Sequence, residues 1–367
     1  MDRLSEFQTK TDRVRKLIGE TNLGGILLSK RSNFAWLTGG GQNYVVAASE
    51  GGVGSLLVTP EGVYLLANNI ENHRILEEEL DGLPIESLVY PWEIEKSEKQ
   101  KAIQSQLGGK PLGADGFEGD ENLAAEIMRA RHPLLPPEIE RYRALGRKAE
   151  EVINQTCQEL QPGVSENLIA GKLAGRCLET HIDATLRLVA FDDRIDNYRH
   201  PIPTRKKLES RAMVVLCARS QGLIVNVTRM VSFKPAIADL RRKHDAVCRI
   251  DAVLNLASRP GVSLGEVFGK GVAQYRTEGF AEEWRLHHQG GTTGYEGRDV
   301  KGTPGETEPI VAPTAVAWNP SIRGTKSEDT FLVTEEGIEN LTESTDWPQV
   351  RAETELGTLD RCDILIL

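Results

Sequence analysis

The tetrapeptide Pro-Gly-Val-Ser occurs twice, at residues 162–165 and again 98 residues later at 260–263. Each copy follows a long helical pattern, IERYRALGRKAEEVINQTCQEL before the first and IADLRRKHDAVCRIDAVLNLA before the second. Each also opens a further helix-length segment, ENLIAGKLAGRCLETH and LGEVFGKGVAQYRTEG. Ser165 and Ser263 are placed to accept from the first free N–H groups of those segments, and Ser263 with Glu266 has capping-box spacing. A β-rich stretch then follows each helical pair. The first holds AMVVLCA and GLIVNVTRMVSF; the second holds PTAVAWNPSI and EDTFLVTEEGIENLT. Two helix–helix–sheet units in tandem predict one α/β domain with pseudo-twofold symmetry. Its site is expected between the halves, on the sheet faces.

The residues before this repeat read differently. The pattern predicts an amphipathic helix over 4–20, a strand in LGGILLSK and a short helix in RSNFAWLTG. A hairpin is expected around Pro60-Glu61-Gly62, then a helix in ENHRILEEEL and a strand in IESLVYPW. This mixed order predicts a small α/β domain over 1–131. The prolines of RHPLLPPEIERYR mark the junction, and Pro136-Pro137 starts the domain of 137–367.

The formal net charge of −10 argues against a nucleic-acid backbone or an anionic membrane as main partner. No apolar run approaches the roughly 18 residues of a membrane span, and MDRLSEFQTKTDRVRK lacks a signal-peptide core. The five cysteines are scattered without a CxxC pair, so reduced thiols in a cytoplasmic protein are expected.

Three segments put polar residues where the pattern predicts strands or tight turns. DDRIDNYRHPIPTRK carries Asp192, Arg194, Arg199, His200 and Arg205; RLHHQGGTTGYEGR carries His287, His288 and Arg298. WNPSIRGTKSEDTFLV carries Asn319, Lys326, Glu328 and Asp329, and the strand GLIVNVTRMV adds Asn226 and Arg229. The arginines read equally well as solvated loop charges, and His200 as a turn residue before a proline. Asn226 in an apolar strand is harder to dismiss, because a buried amide needs partners.

At these residues the chain resembles the pita-bread family of creatinase, aminopeptidase P and prolidase. The resemblance spans nearly the whole chain. It rests on the PGVSE helix start, on GLIVNVTR and HHQGGTTG, and most specifically on GTKSEDTFLVTEEGIENLT. It implies a pita-bread catalytic domain over 137–367, a creatinase-type N-terminal domain over 1–131, and a homodimer. The family's metallopeptidases hold two metal ions through two Asp, one His and two Glu. Carried over position by position, the first Asp falls at Val215 or Leu216 and the second at Asn226. The His falls at Gly291, the first Glu at Asn319, and the second at Glu328, which alone is retained. One carboxylate and two amides are too few donors for a dication. The resemblance therefore implies no metal cofactor, and no ligand role for the paired histidines.

Creatinase supplies the family's metal-free precedent. By that likeness His200 is the acid/base, with His288 as a second candidate, and Glu328 orients the imidazole or activates water. His287, Arg194 and Arg298 are expected to hold a substrate carboxylate. Asn226, Asn319 and Lys326 are expected to rebuild the former metal space as a hydrogen-bonding pocket, Lys326 standing where the family usually has Arg. The leading expectation is a metal-independent hydrolase acting on a C–N bond of a small amino-acid-like, guanidino or peptide substrate. A residual Xaa-Pro metallopeptidase and a non-catalytic scaffold that binds a peptide or protein are the alternatives.

Overall fold

The computed structural model describes residues 1–367, which divide into two compact units, Met1–Glu140 and Arg141–Leu367. The first is built on a six-stranded sheet. Its order is Glu86–Tyr90, Val63–Asn68, Gly51–Val58, Gly25–Lys30, Leu112–Ala114 and Glu121–Asn122. The expected hairpin around Pro60 joins two of these strands antiparallel, and the Gly25–Lys30 strand runs parallel to Leu112–Ala114. The helix Arg3–Thr21 is capped by Asp2, which accepts from the Ser5 N–H. Lys10, fully buried on this helix, pairs with Glu6 at 2.6 Å and Glu138 at 2.9 Å.

The second unit carries the repeat. In the first half the helix Glu166–Glu179 leads to three antiparallel strands, Asp183–Phe191, Arg211–Ser220 and Leu223–Ser232. In the second half the helices Ala238–Ala257 and Leu264–Thr277 lead to Gly290–Thr293, Thr314–Trp318, Asp329–Val333 and Ile338–Asn340. The two Pro-Gly-Val-Ser segments do the same job in the same way. Gly163 and Gly261 both take left-handed φ, +95° and +80°. Their N–H groups donate to Leu208 and Ile310 O at 2.8 and 2.9 Å. Leu208 and Ile310 return a bond to the carbonyls of Val164 and Val262. Ser165 and Ser263 then cap the next helices, accepting from Leu168 and Glu266 N–H. The expected α/β fold with two related halves is the one the chain adopts.

The halves are stitched at their central strands. The Asn226 N–H donates to Thr330 Oγ1, and that hydroxyl donates back to Asn226 O. Beneath this contact lies a buried ionic cluster. Asp329 accepts from Arg229 at 2.9 Å and from Arg361 at 2.6 Å, and Arg361 also holds Asp251 at 2.7 Å. Arg361 comes from the hairpin Gln349–Thr354/Gly357–Cys362, which no pattern in the sequence announced. Its side chains are mostly exposed or half-buried, so its period-2 hydrophobic signal is weak. The helix Glu95–Gln106 was missed for the same reason, with Ile103 its one buried side chain. No helix is long and apolar enough to cross a membrane.

The left-handed glycines give a clean test, because a Cβ added at Gly163 or Gly261 would meet nothing within 4 Å. Only backbone strain is then at stake. Gly163→Ala and Gly261→Ala should each lower stability by roughly 1–2 kcal/mol in urea unfolding. Equal stability in both variants would contradict the paired geometry.

Candidate functional site

Glu328 lies just before the strand Asp329–Val333 and is 3% exposed. Its Oε2 accepts from Lys326 Nζ at 2.7 Å and from Thr228 Oγ1 at 2.7 Å. Its Oε1 accepts from Arg298 Nη2 at 3.1 Å. Lys326 is itself buried, and the Arg298 side chain is 9% exposed. Burial alone would push the Glu328 carboxyl up. The two cations and the hydrogen bonds outweigh it and hold the pKa at about 2, so the group stays ionised. A carboxylate so placed is a poor general base. In this structure Glu328 is an anion that clamps two cations, Lys326 and Arg298. Nor does it reach an imidazole: its close partners are Thr228, Lys326 and Arg298.

The surrounding positions explain why a dication does not fit where the resemblance puts one. Val215 packs in an apolar cluster with Met213 and Met230, and Leu216 is buried on the alternate side of its strand. Cys217 stands directly across from Asn226, and burial pushes its thiol up to about 12, which leaves it protonated and inert. Asn226 is fully buried. Its Nδ2 donates to Thr293 Oγ1 at 3.4 Å and its Oδ1 has no partner. Asn319 Oδ1 is also buried without a partner. At Gly291 a Cβ would stand 2.0 Å from Val300 O, so this backbone has no room for a histidine. One carboxylate, already engaged by Lys326 and Arg298, cannot gather a metal pair.

The histidines form a second group. His287 follows the turn Glu283–Leu286, and its Nε2 lies 2.9 Å from the Nε2 of His200. His288 stacks on His287 with ring centroids 4.6 Å apart, and its centroid is 5.8 Å from that of His200. His200 is exposed, whereas His287 is 8% exposed and its Nδ1 has no partner. Burial, then Lys326, lower His200, and the pull of Glu328 is the smaller effect. Burial and Lys326 hold His287 at about 2, and burial and Arg298 hold His288 at about 4.

Arg194 is engaged by the chain itself. Its Nε donates to Glu166 at 3.0 Å and its Nη2 to Ile202 O at 2.8 Å, so it fastens the loop that carries His200 instead of facing a ligand. Glu166 is fully buried and also accepts from the N–H groups of Phe191 and Thr204. Arg199 pairs with Glu283, and Arg205 is exposed. Asp192 is spent on the N–H groups of Glu209, Ser210 and Arg211. The sequence reading missed Thr228, whose signal was its place two residues after Asn226, on the same face of the strand. Tyr198, Met213, His287 and Lys326 line a small cleft.

The depressed histidines make folding pH-dependent. The unfolded chain takes up protons near the reference pKa of about 6.5, whereas folded His287 and His288 refuse them until about 2 and 4. The unfolded state thus binds more protons across this window, and stability rises with pH. Urea unfolding in the presence of a chelator should show stability falling as pH drops from about 6.5 toward 4. His287→Phe should flatten that dependence; an unchanged slope would contradict the assignment.

The model of metallopeptidase family M24 matches residues 140–335. No curated protein matches the sequence. Among solved structures, the chain is similar to an Xaa-Pro dipeptidase from Bacillus anthracis, with TM-score 0.77 and 18% identity over 98% of this chain and 100% of that one. A prolidase from Pyrococcus horikoshii OT3 matches with TM-score 0.77 and 17% identity, over 91% and 98% of the two chains. The N-terminal domain of FACT complex subunit SPT16 from Cicer arietinum matches with TM-score 0.73 and 12% identity, over 93% and 96%. All three carry the same fold.

Proposed function

The chain belongs to metallopeptidase family M24, a hydrolase family, and from that premise we propose a metal-independent hydrolase. It cleaves a C–N bond in a small amino-acid-like, guanidino or short-peptide substrate that carries a carboxylate. The observation that carries this reading is the Lys326–Glu328–Arg298 cluster. Two fixed side-chain cations lie on the one retained carboxylate, where the resemblance puts metal in the family's peptidases. Buried and preorganised, such cations stabilise negative charge that develops on a substrate oxygen, the service a Lewis acid gives elsewhere.

The remaining groups have distinct roles in this reading. His200 takes the proton of the attacking water and returns it to the leaving nitrogen as the C–N bond breaks. His287, 2.9 Å away, holds the ring of His200 in place. The unpartnered Nε of Arg298 is a donor free for the substrate carboxylate, and the unpartnered Oδ1 atoms of Asn226 and Asn319 are acceptors for substrate N–H groups. The same surroundings set the pH response. Burial and then Lys326 lower His200, so the acid limb of kcat/KM is expected below the usual histidine value.

The test is a screen of small guanidino acids, N-substituted amino acids and Xaa-Pro dipeptides, run throughout with excess chelator. Turnover should survive the chelator. His200→Ala should lower kcat by about 10²–10⁴-fold, and Arg298→Ala should raise KM more than it lowers kcat. Lys326→Met should move the acid limb to higher pH. Activity abolished by the chelator and restored by Mn²⁺ would favour a residual metallopeptidase. Peptide binding with no turnover would favour a non-catalytic scaffold.

A further inference from the structure

The three histidines near this cluster have a capacity that the hydrolase reading does not use. His200, His287 and His288 each offer a ring nitrogen, and these donor atoms all lie within 4.8 Å of one another. The closest pair, Nε2 to Nε2, is at 2.9 Å, and two nitrogens that share one tetrahedral ion at about 2.0–2.1 Å each stand about 3.3–3.4 Å apart, so small ring movements bring the set onto one ion. His287 is buried, and its unpartnered Nδ1 is free to carry the ring proton when Nε2 is given to a metal. Its ring is held at the inner wall of the cluster, while His200 stands on the exposed side.

We infer that His200, His287 and His288 form a binding site for one borderline divalent transition cation, such as Zn²⁺, Ni²⁺ or Co²⁺, separate from the five family positions and sharing none of them. Three imidazoles suit these ions, whereas Mn²⁺ and Mg²⁺ prefer oxygen donors. The proton lying between His200 and His287 moves to a Nδ1 as the metal takes both Nε2 lone pairs. Lys326 and Arg298 oppose the incoming charge, and Glu328 offsets one of them.

The binding claim stands apart from the proposed hydrolysis, and only its consequence rests on that reading. A bound ion takes the lone pair that His200 needs as a base, so metal at this site is inhibitory. The experiment is calorimetric titration of chelator-stripped full-length protein with Ni²⁺ and Zn²⁺, with Co²⁺ absorption as a second readout. One ion per chain is expected, with nitrogen-ligated Co²⁺ bands and no matching uptake of Mn²⁺. His288→Phe and His200→Phe, both at the mouth of the cluster, should keep the wild-type melting temperature without metal. Each should weaken Ni²⁺ binding by more than about 100-fold, since even outer-shell losses cost 10–100-fold. Absence of binding in the wild type, or equal affinity in both variants, overturns the site whatever the enzyme activity. Binding with undiminished turnover would keep the site and refute the acid–base role of His200.

Discussion

A buried carboxylate held by two buried cations sets the character of this molecule. Glu328 cannot be neutralised by protonation, because Lys326 and Arg298 keep its pKa at about 2. The cations in turn cannot leave without exposing an unpaired buried anion, a loss of about 3–5 kcal/mol for comparable pairs. The cluster therefore occupies its space permanently. It leaves one net positive charge beside the histidines, and that charge, with burial, keeps them neutral. A single arrangement of three side chains thus governs which protons the site can move.

The scaffold around it is what makes such a charged interior tolerable. Asp329, the next residue, is clamped between Arg229 of the first half and Arg361 of the C-terminal hairpin. The Thr228 N–H donates to Glu328 O at 3.0 Å, so the backbone that presents Glu328 is fixed by the neighbouring half. The repeat supplies the two sheets and the Arg229–Asp329 pair that joins them, and the non-repeated hairpin supplies Arg361, which ties Asp329 to Asp251 of the helix Ala238–Ala257.

Much of this was legible in the sequence, and the exceptions have physical causes. The Pro-Gly-Val-Ser pair announced the two halves because local backbone chemistry, a left-handed glycine followed by a capping serine, demands those residues. Segments with apolar strands were found; the hairpin at 349–362 was not, because its solvent-facing side chains leave no alternation to read. Within the site, residue identity was visible but partnership was not. Nothing in the sequence says that Arg194 answers to Glu166, twenty-eight positions away, while Arg298 answers to Glu328. The lowered histidine pKa values were hidden for the same reason. The sequence showed the carboxylate, and only the fold showed the two cations already spent on it.

The central claim is that side-chain cations stand in for metal at the retained carboxylate. The most direct measurement is a Mn²⁺ titration of chelator-stripped protein followed by electron paramagnetic resonance, since Mn²⁺ seeks oxygen donors and avoids an all-histidine site. The account predicts that added Mn²⁺ stays free in solution, with wild type and Glu328→Gln indistinguishable. Stoichiometric Mn²⁺ binding to the wild type that disappears in Glu328→Gln would contradict it.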